Sequence, residues 1–247
     1  MTRIAMWSGP RNISTAMMRS WGNRPDTAVI DEPFYAYYLE RTGKGHPVAA
    51  KVIAAGETNW RKVAGRLTKD PIPGGKRILF QKQMTHHLLP EIDRGWLLEV
   101  TNCFLIRDPA EVIISYIKKN PDPMLEDLGF VQQREIFEFV RSHRPSGRHI
   151  GPVPPVVDAR DVLQNPERTL RLLCDAIGVS FDQAMLSWPA GLRETDGVWA
   201  KHWYDAVARS TSFEPYKPRG GNIPRSLREI YERCRESYEH LHKFRLS

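Results

Sequence analysis

Cysteine is scarce in this chain: Cys103, Cys174 and Cys234 are the three among 247 residues, and they stand far apart. That spacing excludes a disulfide framework and a cysteine-based zinc cluster. Long apolar runs are missing as well, and none approaches the roughly 18 residues that a membrane-spanning helix needs. The opening MTRIAMWSGPRN holds too short an apolar stretch for a secretory signal. The expectation is therefore a soluble, cytoplasmic protein with no membrane span. Internal repeats and low-complexity tracts are also absent. Basic residues are in excess, with Lys+Arg 36 against Asp+Glu 29 and a net charge of +7, but no block of about five consecutive ones occurs. Charge spread in this way argues against a nucleic-acid partner and leaves a small polyanion in contention.

What is present is globular: 41% apolar and 26% charged residues, at a length that suits one core. A single domain over residues 1–247 is expected. Short apolar segments alternate with helical patterns, the order that builds a parallel sheet flanked by helices in an α/β domain. The expected strands are Ile4–Trp7, Ala28–Asp31, Ile78–Gln81, Cys103–Ile106 and Pro155–Asp158. Between them, Ile13, Met17, Met18 and Trp21 fall at helical spacing before Gly22. Asp108-Pro109 and Asn165-Pro166 read as cap and first residue of two further helices. The first carries a stripe of Ala110, Ile113, Ile114 and Ile117, with Ser115 off it and facing away from the core. The second carries Leu170, Leu173 and Ile177 and stops at Gly178. A last helix begins near Pro224. Two stretches rich in Gly, Pro, Ser and basic residues, 141–155 and 209–224, are expected to be functional or mobile loops, the second a lid.

Two places can hold an anion. After the first strand, SGPRNISTAMM turns directly into a helix, whose first N–H groups and dipole favour negative charge. Gly9 allows the turn, Arg11 adds a charged donor, and Ser14 and Thr15 add hydroxyls; a helix simply capped by Ser14 explains the same residues equally well. The loop lacks the G-x-x-x-x-G-K-[ST] pattern of nucleoside triphosphatases, because Ser14 and Thr15 stand where the second glycine and the lysine belong. At the second place, Arg107 ends a strand and Ser115 follows eight residues later, so that both could grip one anionic group. A surface Arg–Asp pair and a solvated serine are the plainer alternative.

Together these pieces resemble the sulfotransferase family, whose donor is 3′-phosphoadenosine-5′-phosphosulfate (PAPS). The family's 5′ loop, P-[KR]-S-G-[ST]-[ST], is matched by Pro10-Arg11-Asn12-Ile13-Ser14-Thr15, and its 3′-phosphate motif by Arg107-Asp108-Pro109 with Ser115-Tyr116. VVDARDVLQNPERTLRLLCDAIGVSFDQAMLSW is similar to the strand and helix that follow that site. Asn12 and Ile13 replace the usual Ser and Gly, which marks a divergent, bacterial-type member. The resemblance implies a nucleoside-triphosphatase-like fold and PAPS as co-substrate. It places Arg11, Asn12, Ile13, Ser14, Thr15, Ala16, Arg107 and Ser115 on the donor, and Lys217 and Arg219 with Gly220 and Gly221 in a closing segment.

The reaction so implied moves a sulfuryl group in line to a hydroxyl or amine of a small-molecule acceptor, without a metal. Arg11 would steady the departing oxygen. Glu32, directly after the second strand, is preferred as base over His86, and Lys82 would assist at the sulfuryl group. Asp31 and His87 are expected to point away from their neighbours and stay uninvolved. The aromatic stretches Phe34–Tyr38 and Trp199–Tyr204 line an acceptor pocket or simply pack the core. A phosphotransferase of the same fold and a non-catalytic nucleotide-binding relative are the competing functions; a homo-oligomer has no particular support.

Overall fold

The structure, a computed structural model, describes residues 1–143, 153–218 and 220–247. Five strands, β1 (Thr2–Ser8), β2 (Thr27–Asp31), β3 (Ile78–Met84), β4 (Thr101–Ile106) and β5 (Val156–Asp158), form one parallel sheet in the order β2-β3-β1-β4-β5. The helices in chain order are α1 (Ser14–Gly22), α2 (Tyr35–Thr42), α3 (Ala49–Ala55), α4 (Trp60–Thr68), α5 (Pro109–Tyr116) and α6 (Leu125–Leu128). They continue with α7 (Phe130–Ser142), α8 (Ala159–Gln164), α9 (Pro166–Ile177), α10 (Ala200–Trp203), α11 (Asp205–Arg209) and α12 (Arg228–His242).

Strand period explains the layers. In β1, Ile4 and Met6 face one side and meet Met17, Met18 and Trp21 of α1, while Ala5 and Trp7 face the other, in the cluster that holds Ile136 and Phe137 of α7. Both faces are buried, so β1 and β4 read as apolar runs over most of their length. Trp21 stacks on Phe80 with ring centroids 5.3 Å apart, and Phe104 meets Phe137 edge-on at 5.3 Å. The predicted capping is present: Asp108 accepts from the N–H groups of Ala110 and Glu111, Asn165 from that of Arg168, and Gly178 closes α9 at φ 74°.

Two expectations need correcting. β3 runs on to Met84 rather than stopping at Gln81, because Gln81, Lys82 and Gln83 are buried with partners of their own. On α5 the apolar buried face is Val112, Ile113 and Tyr116, and Glu111 and Ser115 are buried too. Val112, Ile113 and Tyr116 pack in the cluster containing Leu227 and Cys234, and Ser115 is buried rather than left on an open face. Of the 141–155 loop, residues 144–152 lie outside the described residues, as does Arg219 of the expected lid.

The strand order fixes where a ligand fits. The chain leaves β1 toward β2 on one side of the sheet, and leaves β4 toward β5 on the other. Between the carboxyl ends of β1 and β4 the connections diverge, and that crevice is where open α/β sheets take ligands.

Candidate active site

Arg11 and Arg107 meet in that crevice. Arg11 follows β1 in the left-handed region, φ 56°, which swings its side chain across the loop. Its Nε donates to Ser115 Oγ at 3.0 Å. Arg107, at the tip of β4, donates from Nη1 to the Arg11 carbonyl at 3.1 Å and from Nε and Nη2 to Glu111 Oε2 at 2.9 and 2.7 Å. The two expected anion sites are thus one continuous site. Ser115 is reached by Arg11, not by Arg107, and is 1% exposed. Burial, reinforced by the neighbouring Arg107, pulls the Arg11 guanidinium below its ordinary value.

Helix α1 enters the same crevice with its end open. Ile13 stands at the cap position and supplies no side-chain hydrogen bond, and the first helical bond is Met17 N–H to the Ile13 carbonyl at 3.0 Å. The N–H groups of Ser14, Thr15 and Ala16 precede it, beside Arg11. Ser14 is therefore not the cap. Asn12 is turned inward, donating to the Leu105 carbonyl at 3.0 Å and accepting from the Ile13 N–H at 2.9 Å, so it fastens the loop to β4. Gly9 is needed for closeness: a Cβ there would sit 2.6 Å from the Leu128 carbonyl oxygen.

A second polar cluster lies at the ends of β2 and β3, where Asp31 pairs in register with Lys82. Lys82, 2% exposed, donates to Asp31 Oδ1 at 2.9 Å, to Tyr204 Oη at 2.8 Å and to Glu32 Oε1. Those three bonds use all its hydrogens. A role at a sulfuryl group would require Lys82 to give one of them up. Tyr204 in turn donates to Asp31 Oδ2 at 2.6 Å. Glu32 has φ 42°, which breaks strand alternation and lets consecutive carboxylates reach one ammonium. That is why Asp31, expected to point away, belongs to the cluster.

Burial pushes the Glu32 carboxyl up; Lys82 opposes this and Asp31 adds to it. Burial alone would lower Lys82, but Asp31 and Glu32 more than offset it and hold it well above the ordinary value. His86 and His87 also come together, their ring centroids 4.3 Å apart in a short turn, and His87 Nδ1 lies 4.0 Å from Glu32 Oε2. Burial drops His86 to about 3 and His87 well below its usual value, so both rings are neutral at pH 7. Tyr35 and Tyr38 stack on His87 at 4.7 Å, and Trp199 meets Tyr35 edge-on at 5.0 Å. The two aromatic stretches therefore converge beside Glu32.

Sequence reasoning placed Tyr204 only in an aromatic stretch and missed its bonds to Lys82 and Asp31. It also missed Glu111, Tyr216 and the buried pair Arg19–Asp196, whose bonds of 2.6 and 2.7 Å fasten the 193–204 stretch to α1. The 209–224 stretch holds Phe213, buried against Trp188 with ring centroids 5.1 Å apart, and Lys217, which is exposed. Among the described residues no group of three or more His, Cys, Asp or Glu is placed to hold a metal, and no helix is long and apolar enough to cross a membrane.

The family model described as "Sulfotransferase domain" matches residues 2–234. Two Arabidopsis thaliana proteins named branched-chain-amino-acid aminotransferase-like protein 1 and 2 are 35% and 32% identical over 237 residues, 95% of this chain. The chain spans 40% of the length of each, so their names describe much longer proteins. In fold, the chain is similar to the sulfotransferase domain from the curacin biosynthetic pathway (TM-score 0.56, 16% identity, 100% of this chain and 99% of that one). It is also similar to the sulfotransferase domain of the Synechococcus PCC 7002 olefin synthase (TM-score 0.51, 17% identity, 97% and 94%).

Proposed function

This chain belongs to the sulfotransferase domain family, and on that premise we propose that it transfers a sulfuryl group from PAPS to a hydroxyl or amine of a small-molecule acceptor. The observation that carries this reading is the meeting of Arg11, Arg107 and Ser115 beside the open end of α1, at the crevice between β1 and β4. Two half-buried or buried guanidinium groups repel one another, and a multiply charged anion between them relieves that repulsion. A nucleotide phosphorylated at both the 3′ and 5′ positions supplies such charge at two points.

In this reading the 5′ end lies on the N–H groups of Ser14–Ala16 and on Arg11, with Asn12 and Ile13 shaping the loop beneath. The 3′-phosphate lies on Arg107 and the Ser115 hydroxyl, with Lys217 approaching from the closing segment. The acceptor oxygen forms a bond to sulfur while the bond from sulfur to the bridging oxygen breaks, and that oxygen keeps the electron pair. Arg11 and the helix end stabilise the growing charge. The acceptor proton passes to Glu32, whose raised carboxyl makes it a better base at neutral pH than an ordinary glutamate. His86, held near 3, is a poor base. Lys82 acts through Glu32 by holding it in place.

The test is calorimetric titration with adenosine 3′,5′-bisphosphate. The wild-type protein binds it, and Arg107→Ala weakens binding by about a hundredfold or more, as expected when a charge-assisted contact is removed. Absence of wild-type binding at millimolar ligand refutes the reading. Magnesium-dependent nucleotide binding indifferent to the 3′-phosphate would favour a phosphotransferase instead.

A further inference from the structure

On the proposed reading, Arg107 must present a fixed edge to a 3′-phosphate, and its surroundings show how it is fixed. Glu111 Oε2 takes the Nε and Nη2 hydrogens, and the Arg11 carbonyl takes one from Nη1. Among the described residues this occupies three of the five guanidinium N–H bonds and leaves one on each terminal nitrogen. Those two remain to donate to a phosphate. The edge is aimed only as well as the Glu111 carboxylate is held.

Tyr216 holds it. Its hydroxyl donates to Glu111 Oε1 at 2.7 Å across 105 residues of sequence. The bond to this carboxylate, with burial adding to it, pushes the phenol above its ordinary value, so it remains a donor at neutral pH. Tyr216 stands in the run Glu214-Pro215-Tyr216-Lys217-Pro218, where two prolines restrict the backbone. The Arg160 guanidinium lies 5.3 Å over its ring. Gly221, at φ 154°, approaches α5 so closely that a Cβ would lie 3.1 Å from Ile114 Cδ1. The stretch is thus attached to the helix that carries Glu111 and Ser115.

We infer that Tyr216 is a positioning residue for nucleotide selectivity: by holding Glu111 it aims Arg107, and it couples recognition of a 3′-phosphate to docking of the Phe213–Pro218 stretch on α5. The inference rests on the PAPS reading and adds to it a residue through which the two events favour each other. Coupling of this kind is reciprocal. A nucleotide with a 3′-phosphate tightens the stretch, and one without it does not.

The experiment compares adenosine 3′,5′-bisphosphate with adenosine 5′-monophosphate on wild type and Tyr216→Phe, which keeps the ring over which Arg160 lies. Tyr216→Phe is expected to weaken the bisphosphate about tenfold and to leave the monophosphate within about twofold. Hydrogen exchange over 213–218 slows with the bisphosphate in wild type and loses that response in the variant. An equal loss for both nucleotides, or none for either, overturns the inference while leaving the PAPS reading intact. A wild-type protein that fails to bind the bisphosphate overturns both.

Discussion

Replacing Lys82 with methionine keeps an unbranched side chain one atom shorter and removes the charge from a site where the residue is 2% exposed. Asp31 Oδ1 then loses a bond of 2.9 Å, Tyr204 Oη one of 2.8 Å, and Glu32 its ammonium. Removing one member of a buried ion pair costs about 3–5 kcal/mol, because the remaining charge stays desolvated. Here two carboxylates remain side by side. A loss of that size lowers the melting temperature of a chain this long by about 6–20 °C. The pH dependence distinguishes this cause from simple cavity formation. Without Lys82 the Glu32 carboxyl, already pushed up by burial, loses the charge that opposes the shift and rises further above its unfolded value. Stability from a raised carboxyl is fully present below its unfolded pKa and is lost as pH rises through the folded one. Lys82→Met is therefore less destabilised at pH 5 than at pH 8, measured by urea denaturation against wild type at each pH. Adding Asp31→Asn recovers part of the loss at pH 8. A penalty below about 1 kcal/mol, or one equal at both pH values, would refute the reasoning.

Three further outcomes follow from the same structure. Asp196→Ala strands Arg19, whose side chain is 1% exposed, and is expected to cost about 3–5 kcal/mol in a denaturant titration. Gly9→Ala places a Cβ 2.6 Å from a backbone carbonyl and should cost about 1–3 kcal/mol while weakening bisphosphate binding, since Arg11 shares the displaced loop. His86, near 3 in the folded protein, contributes stability above pH 6.5 that is lost as pH falls toward 3. Glu32 acts in the opposite sense over part of that range, so the measurement is the difference: His86→Leu loses less stability than wild type between pH 7 and pH 4.

How far the sequence could be read depended on the range of the contacts. β1 and β4 were legible because burial on both faces makes them continuous apolar runs, and α5 and α9 because Asp108-Pro109 and Asn165-Pro166 mark their starts. Polar residues at buried strand positions hid the end of β3, since a charge inside a strand makes sense only once Asp31 and Tyr204 are known to meet it. Tyr204 lies 173 residues from Asp31, and Asp196 lies 177 from Arg19. No local pattern announces such pairs. The direction of Asp31 was misread because strand alternation was carried one residue too far: the turn of Glu32 to positive φ ends it.

The proximity of Arg11 and Arg107 also bears on handling the protein at the bench. Whatever binds the folded form alone raises its apparent stability in proportion to the logarithm of concentration. Sulfate, phosphate and pyrophosphate in a buffer all offer the charge this crevice favours. A melting temperature recorded in phosphate would therefore report the buffer as much as the chain. A thermal-shift screen in an anion-poor, zwitterionic buffer would rank donor nucleotides before any acceptor is known.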